Sequence, residues 1–135
     1  MHDKIIGASL PSTQALAYLG DAAYSLFVRR MLVERGLTKA KDLNRETLKY
    51  VTAEAQAAMY RRIEYLLLDD EREVFKRAAN STHLNRPKHA SVTDYRYATG
   101  FEAVIGMLAW IKDEERIEEL LTEAHKENSE NDTEN

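Results

Sequence analysis

Two acidic residues stand where apolar helices would not be expected to carry them. Asp21 follows Gly20 in the middle of "ALAYLGDAAYSLF" (residues 15–27), and Glu102 lies in "TGFEAVIGMLAWI" (residues 99–111), one helical turn before Gly106. Glycine inside a helix costs roughly 1 kcal/mol relative to alanine, so it is kept where another backbone or a ligand comes close. An ionised carboxylate on an apolar face needs a cation or a set of donors. The two stretches therefore predict a pair of carboxylates meeting across a close helix crossing. Without a cation such a pair repels, and at least one pKa rises. With Mg²⁺ it becomes a site, because that ion takes one or two carboxylates together with waters and phosphate oxygens. The competing reading puts Asp21 and Glu102 at the exposed edges of amphipathic helices, where neither needs a partner.

The elements that must position the pair all read as helix. Leu16, Leu19, Ala23, Leu26, Phe27 and Met31 recur at three and four, after Ser12 or Thr13 as N-cap and before Gly36 as a stop. A short helix fits residues 39–49 after Thr38. Another follows Thr52 in "AEAQAAMYRRIEYLLL", and "DEREVFKRAA" makes a fourth. Residues 80–93 lose periodicity around Asn80, Ser81, Asn85, Pro87 and Ser91, and a long irregular segment in a compact domain is often functional. Helix resumes near Thr93 or Asp94, with Phe101, Val104, Ile105, Leu108 and Ile111 as its apolar positions, and a last helix spans roughly 114–125. Tyr95 and Tyr97 at the start of that penultimate helix are assigned to packing. No strand-period alternation and no internal repeat appear, so the fold class is all-α, a helical bundle.

The chain has 135 residues, room for one core without staples, and no cysteine, which removes disulfides and thiolate zinc sites. No apolar run reaches signal-peptide or membrane-span length, so a cytoplasmic location and no membrane partner are expected. The net charge of −4 is unevenly spread. Residues 112–135 hold three Lys/Arg against ten Asp/Glu, which leaves sixteen basic and thirteen acidic residues before position 112. The densest basic stretch, "KRAANSTHLNRPKHASVTDYR", begins at Lys76. A run of this kind is usually a solvated surface and becomes informative only beside a catalytic constellation. No Ser, His and Asp triad is evident.

The wording of the two acidic stretches resembles the ribonuclease III family. "ALAYLGDAAYSLFVR" is similar to its signature helix, roughly E-x-L-E-F-L-G-D-A, and "TGFEAVIGMLAWI" to its second acidic helix, roughly D-x-x-E-A-x-I-G-A. Order and separation agree too, and the resemblance covers about residues 10–125. The best match is the short subgroup, mini-ribonuclease III, which is the catalytic domain without a double-stranded-RNA-binding domain. On this resemblance residues 1–126 form a ribonuclease III catalytic domain and residues 127–135 an acidic disordered tail. Asp21 and Glu102 are the positions that match the family's metal-binding carboxylates. Ala17 and Thr99 replace the other two acids, Gln14 replaces the acid that opens the signature, and Tyr18 its phenylalanine. That thinning is a subgroup trait, and it leaves the number of bound metals open.

The resemblance implies a Mg²⁺-dependent endoribonuclease that cuts double-stranded RNA to a 5′-phosphate and a 3′-hydroxyl, with Asp21 and Glu102 as catalytic and metal-holding residues. It implies a homodimer built through the signature helix, which assigns Leu19, Ala22, Ala23, Leu26 and Phe27 to the interface. Duplex RNA would be selected by shape. Lys76, Arg77, Arg86, Lys88 and Arg96 are the expected phosphate contacts, with Asn80 and His83 as further donors. By resemblance the substrate is a precursor of large-subunit ribosomal RNA, with room for a ribosomal protein as accessory partner. The alternative is a non-catalytic RNA-binding assembly factor on the same fold, favoured by Ala17 and Thr99 and opposed by the retention of Asp21 and Glu102.

Overall fold

The computed structural model describes residues 9–81 and 90–126. These form α1 (Thr13–Glu34), α2 (Ala40–Val51), α3 (Ala53–Ile63), a 3₁₀ turn (Glu64–Leu66), α4 (Asp69–Ser81), α5 (Val92–Trp110) and α6 (Glu114–Ala124), with no strand among the described residues. The all-α expectation holds.

Local chemistry sets the boundaries. The Ser12 hydroxyl accepts from the Ala15 N–H at 3.1 Å, so Ser12 and not Thr13 is the cap of α1. Beyond α1, Gly36 adopts a φ of +95°, which a side chain would resist. Thr38 does not cap α2, whose N-cap residue is Lys39 without a side-chain bond. Thr52 both stops α2 and caps α3, accepting from Ala55 N–H at 3.1 Å. Of the irregular segment expected at 80–93, residues 80–81 belong to α4, Ser91 caps α5 through the Asp94 N–H, residues 92–93 belong to α5, and residues 82–89 lie outside the described residues.

The core is organised around α5, which packs on α1 along one side and on α3 and α4 along the other. Ala98, Gly100, Phe101 and every residue from Ala103 to Leu108 are buried. A helix covered almost all round must be apolar almost all round, which explains its composition. Its closest neighbour is α1. A Cβ placed on Gly20 would stand 1.7 Å from the Glu102 carbonyl oxygen, and one on Gly106 would stand 1.7 Å from the Leu16 carbonyl oxygen. The two glycines thus remove side chains from opposite sides of the same crossing, and the backbones touch. Phe75 of α4 fills the space below Gly100, stacked on Tyr60 with ring centroids 3.9 Å apart, and Tyr97 meets both rings edge-on. Tyr97 is a packing residue, as its position suggested.

Two polar connections fasten α6. Glu71, fully buried at the start of α4, receives Arg116 Nη2 at 2.8 Å and Nε at 3.0 Å, while Arg116 also donates to the Leu66 carbonyl at 2.8 Å and pairs with Glu119. The Leu68 N–H donates to Glu71 Oε1 at 2.9 Å, so this carboxylate caps α4 while it anchors α6. At the other end the Tyr24 hydroxyl donates to the Tyr50 carbonyl at 2.8 Å and lies 3.2 Å from His125 Nε2. His125 Nδ1 lies 2.8 Å from the Leu121 carbonyl and donates to it. Tyr24 thereby ties the ends of α2 and α6 to the middle of α1.

Gly20→Ala tests the crossing directly. The obstructing atoms, the Glu102 carbonyl and the Gly106 nitrogen, are all backbone and cannot swing away, so the helices must part; the expected loss is about 3 kcal/mol or more, the upper end for overpacking. Urea denaturation measures it, and a loss below 1 kcal/mol would mean that the backbones are not in contact.

Candidate active site

The crossing of α1 and α5 brings Asp21 and Glu102 together. Asp21 is on the exposed side of α1, and Glu102 is half-buried at the level of Gly20. The two carboxyl groups lie within hydrogen-bonding reach, and burial, that hydrogen bond and the like charge of Asp21 push the Glu102 carboxyl up to about 8. Gln56, from α3, works the other way: its Nε2 lies 3.5 Å from Glu102 Oε2 and favours the ionised form. No ammonium or guanidinium is among the groups that weigh on Glu102. The exposed-edge reading therefore fails for Glu102, which is half-buried and faces a second carboxyl group.

This donor set fits a hard divalent cation. It consists of carboxylate oxygens carrying excess negative charge, with one proton standing where a cation would relieve the repulsion. Among the described residues no cluster of three or more His, Cys, Asp and Glu could hold a metal, and Asp21 and Glu102 are the two carboxylates that meet at this crossing. Ala17 lies half-buried on α1, and the Thr99 hydroxyl donates to the Tyr95 carbonyl at 2.9 Å within its own helix. Neither replaces a ligand.

The candidate RNA contacts are dispersed. Lys76 and Arg77 are exposed on α4, where Arg77 makes only a solvent-exposed pair with Glu73 at 3.7 Å. Arg96 is half-buried and already engaged, donating from Nε to the Ala79 carbonyl at 3.0 Å and from Nη2 to Asn80 Oδ1 at 2.7 Å. Arg96 and Asn80 thus clamp the end of α4 to α5. His83, Arg86 and Lys88 lie outside the described residues.

On the outer face of α1, Ala22 and Leu26 are exposed, whereas Leu19, Ala23 and Phe27 are half-buried and the last two pack partly on the core. Tyr18 is 83% exposed, and with Ala22, Leu26 and Val33 it completes a stripe that the spacing of four and seven could have disclosed. Beside it a groove of about 760 Å³ runs between α1 and α6, floored by Ala23, Phe27, Met31 and Ile117.

Residues 14–112 match the ribonuclease III domain. The chain belongs to the ribonuclease III family. Within this family it is 41% identical over 120 residues to the mini-ribonuclease 3 of Streptococcus pneumoniae, spanning 87% of this chain and 94% of that one. The mini-ribonuclease 3 of Clostridium tetani is 40% identical over 124 residues, spanning 89% and 82%. A crystal structure of a Fusobacterium nucleatum protein superposes with a TM-score of 0.75 at 32% identity, over 82% of this chain and 90% of that one. The helical ribonuclease III fold and the short subgroup expected from the acidic stretches are both correct.

The raised pKa of Glu102 has a consequence for stability. Unfolding returns the carboxyl to its ordinary range near 4.5, so between that value and about 8 the folded chain keeps a proton that the unfolded chain has lost. Stability from this group is present at low pH and disappears as pH rises through about 8. In EDTA, calorimetric melting should show the wild type losing ground steadily to Glu102→Gln from pH 5 to pH 8. A difference in Tm that does not change with pH would refute the raised pKa of Glu102.

Proposed function

We propose that the Asp21–Glu102 pair is the catalytic centre of this endoribonuclease and that it hydrolyses phosphodiesters of double-stranded RNA to 5′-phosphate and 3′-hydroxyl ends. The observation that carries this reading is the meeting of the two carboxyl groups across the glycine crossing. Asp21 and Glu102 would hold Mg²⁺, which when bound lowers the pKa of a water and neutralises charge on the phosphate. Asp21 presents its carboxylate at the surface, where a phosphate can approach. Glu102 must give up its proton to serve as a ligand, and the amide of Gln56 favours that loss. No side-chain nucleophile is required.

The working unit is a homodimer. A duplex has two antiparallel strands, and a two-fold pair of protomers offers each strand one site. The stripe of Tyr18, Ala22, Leu26 and Val33 and the adjoining groove form an apolar surface on the helix that carries Asp21, and a second copy of α1 is its natural cover. Lys76 and Arg77, free of buried partners, are the phosphate contacts on α4, and Arg96 acts mainly as a clamp. The substrate is a precursor of large-subunit ribosomal RNA in the cytoplasm, a role in keeping with the mini-ribonuclease 3 relatives; among the described residues no helix is long and apolar enough to cross a membrane.

A mixed dimer of wild type and Asp21→Asn, purified through two tags, should bind a duplex and cut a single strand. Double-strand cleavage by dimers shown not to exchange subunits would exclude one site per strand. The all-mutant protein should bind without cutting, and residual full activity would remove Asp21 from the chemistry and return the site to a binding role.

Lys76→Ala should weaken binding to unrelated duplexes about equally and lower the slope of log K against log[salt] by roughly one. Unchanged binding in filter or anisotropy titrations would remove α4 from the RNA surface.

A further inference from the structure

Among the described residues the buried polar or charged side chains are Gln56 and Glu71. Glu71 is accounted for by Arg116 and the Leu68 N–H. The structural duty of Gln56 is lighter, a contact with one helix-end carbonyl. It is 2% exposed on α3, beside the buried Ala57, Met59, Tyr60 and Ile63, where an apolar side chain of the same size would pack without the cost of desolvating an amide. Its Nε2 lies between two acceptors, the Val51 carbonyl at 3.4 Å and Glu102 Oε2 at 3.5 Å. Val51 ends α2, where carbonyls lack partners within the helix. A carbonyl only accepts, so Val51 determines which way the amide faces, and its N–H groups are turned to the carboxylate.

We propose that Gln56 is a positioning residue for the reaction: its amide, anchored on the last turn of α2, holds the Glu102 carboxylate in the orientation in which it shares a divalent cation with Asp21. This rests on the assignment of Asp21 and Glu102 as the site. Gln56 reaches one oxygen of Glu102 and leaves the other oxygens of the pair for the cation. It is itself shut away from solvent and does not touch substrate. The cost of burying the amide is offset by fixing the orientation of the Glu102 carboxylate. With two carboxylates in place of four, the orientation of each has a larger share in metal affinity.

Gln56→Leu is the test, with Gln56→Met as a second apolar replacement. Both should melt at or above the wild-type temperature. Titrated with Mn²⁺ in the absence of RNA, by calorimetry or water-proton relaxation, both should bind about 10–100-fold more weakly, the usual cost of losing a residue that orients a metal ligand. At saturating metal and RNA, kcat should fall while KM for duplex RNA stays within error. Wild-type Mn²⁺ affinity in folded Gln56→Leu or Gln56→Met would overturn the proposal. So would a drop in melting temperature with affinity retained, because Gln56 would then serve packing alone. Glu102→Gln separates the two layers of inference: if it binds Mn²⁺ as the wild type does, the site assignment fails, whereas loss in Glu102→Gln with retention in both Gln56 variants leaves the site standing and refutes positioning.

Discussion

The meeting of Asp21 and Glu102 depends on two helices touching through their backbones. At Gly20 and Gly106 there is no side chain to hold α1 and α5 apart, and each glycine faces a carbonyl of the opposite helix. The relative height of Asp21 and Glu102 is therefore set by main-chain contact, the least adjustable kind of packing. Side-chain packing tolerates exchange within a volume; a backbone contact does not. The position of the carboxylates is for this reason insulated from much of the surrounding sequence, including the half-buried Ala17 and Thr99 on the same two helices.

The rest of the fold keeps that crossing closed. Helix α5 is buried on nearly every side, so α3, α4 and α6 act as walls that press it against α1. The walls are bonded to one another by polar groups that work only in this arrangement. Glu71 and Arg116 link the start of α4 to α6 out of reach of water, and a buried pair of this type contributes little net stability but penalises every packing that separates its members. Tyr24 does the same across α1, α2 and α6. Negative charge is concentrated on α6, where Glu114, Glu115, Glu118 and Glu119 are exposed.

Much of this was legible in the sequence, and for identifiable reasons. A glycine followed by an acid inside an apolar run is a contradiction that only a close crossing and a partner resolve, so the pair could be named before the helices were placed. Caps at Ser12 and Thr52 announced two helix starts in the same way. What escaped were residues whose meaning depends on a distant partner. Gln56 reads as one more polar position in an alanine-rich helix until Glu102 is laid beside it, forty-six positions away. Glu71 and Arg116 each look like ordinary members of charged helices, because nothing local distinguishes a buried charge from a solvated one. Arg96 looked free to reach a phosphate, yet its neighbours at the end of α4 engage it first. Tyr18 was visible as a substitution in a motif, while its exposure was not.

The two halves of the centre also lie far apart along the chain, and this has a temporal meaning. During synthesis α1 emerges early, but its glycine has nothing to rest against until α5 is complete through Gly106, and the Tyr24 hydroxyl finds His125 only about a hundred residues later. Contacts of such long range form late in folding. A nascent chain therefore displays Asp21 for most of its translation without the second carboxylate that would complete the centre. A fragment that ends before Glu102 has only one of the two carboxylates, so the pair comes into being only after about three quarters of the chain has been made.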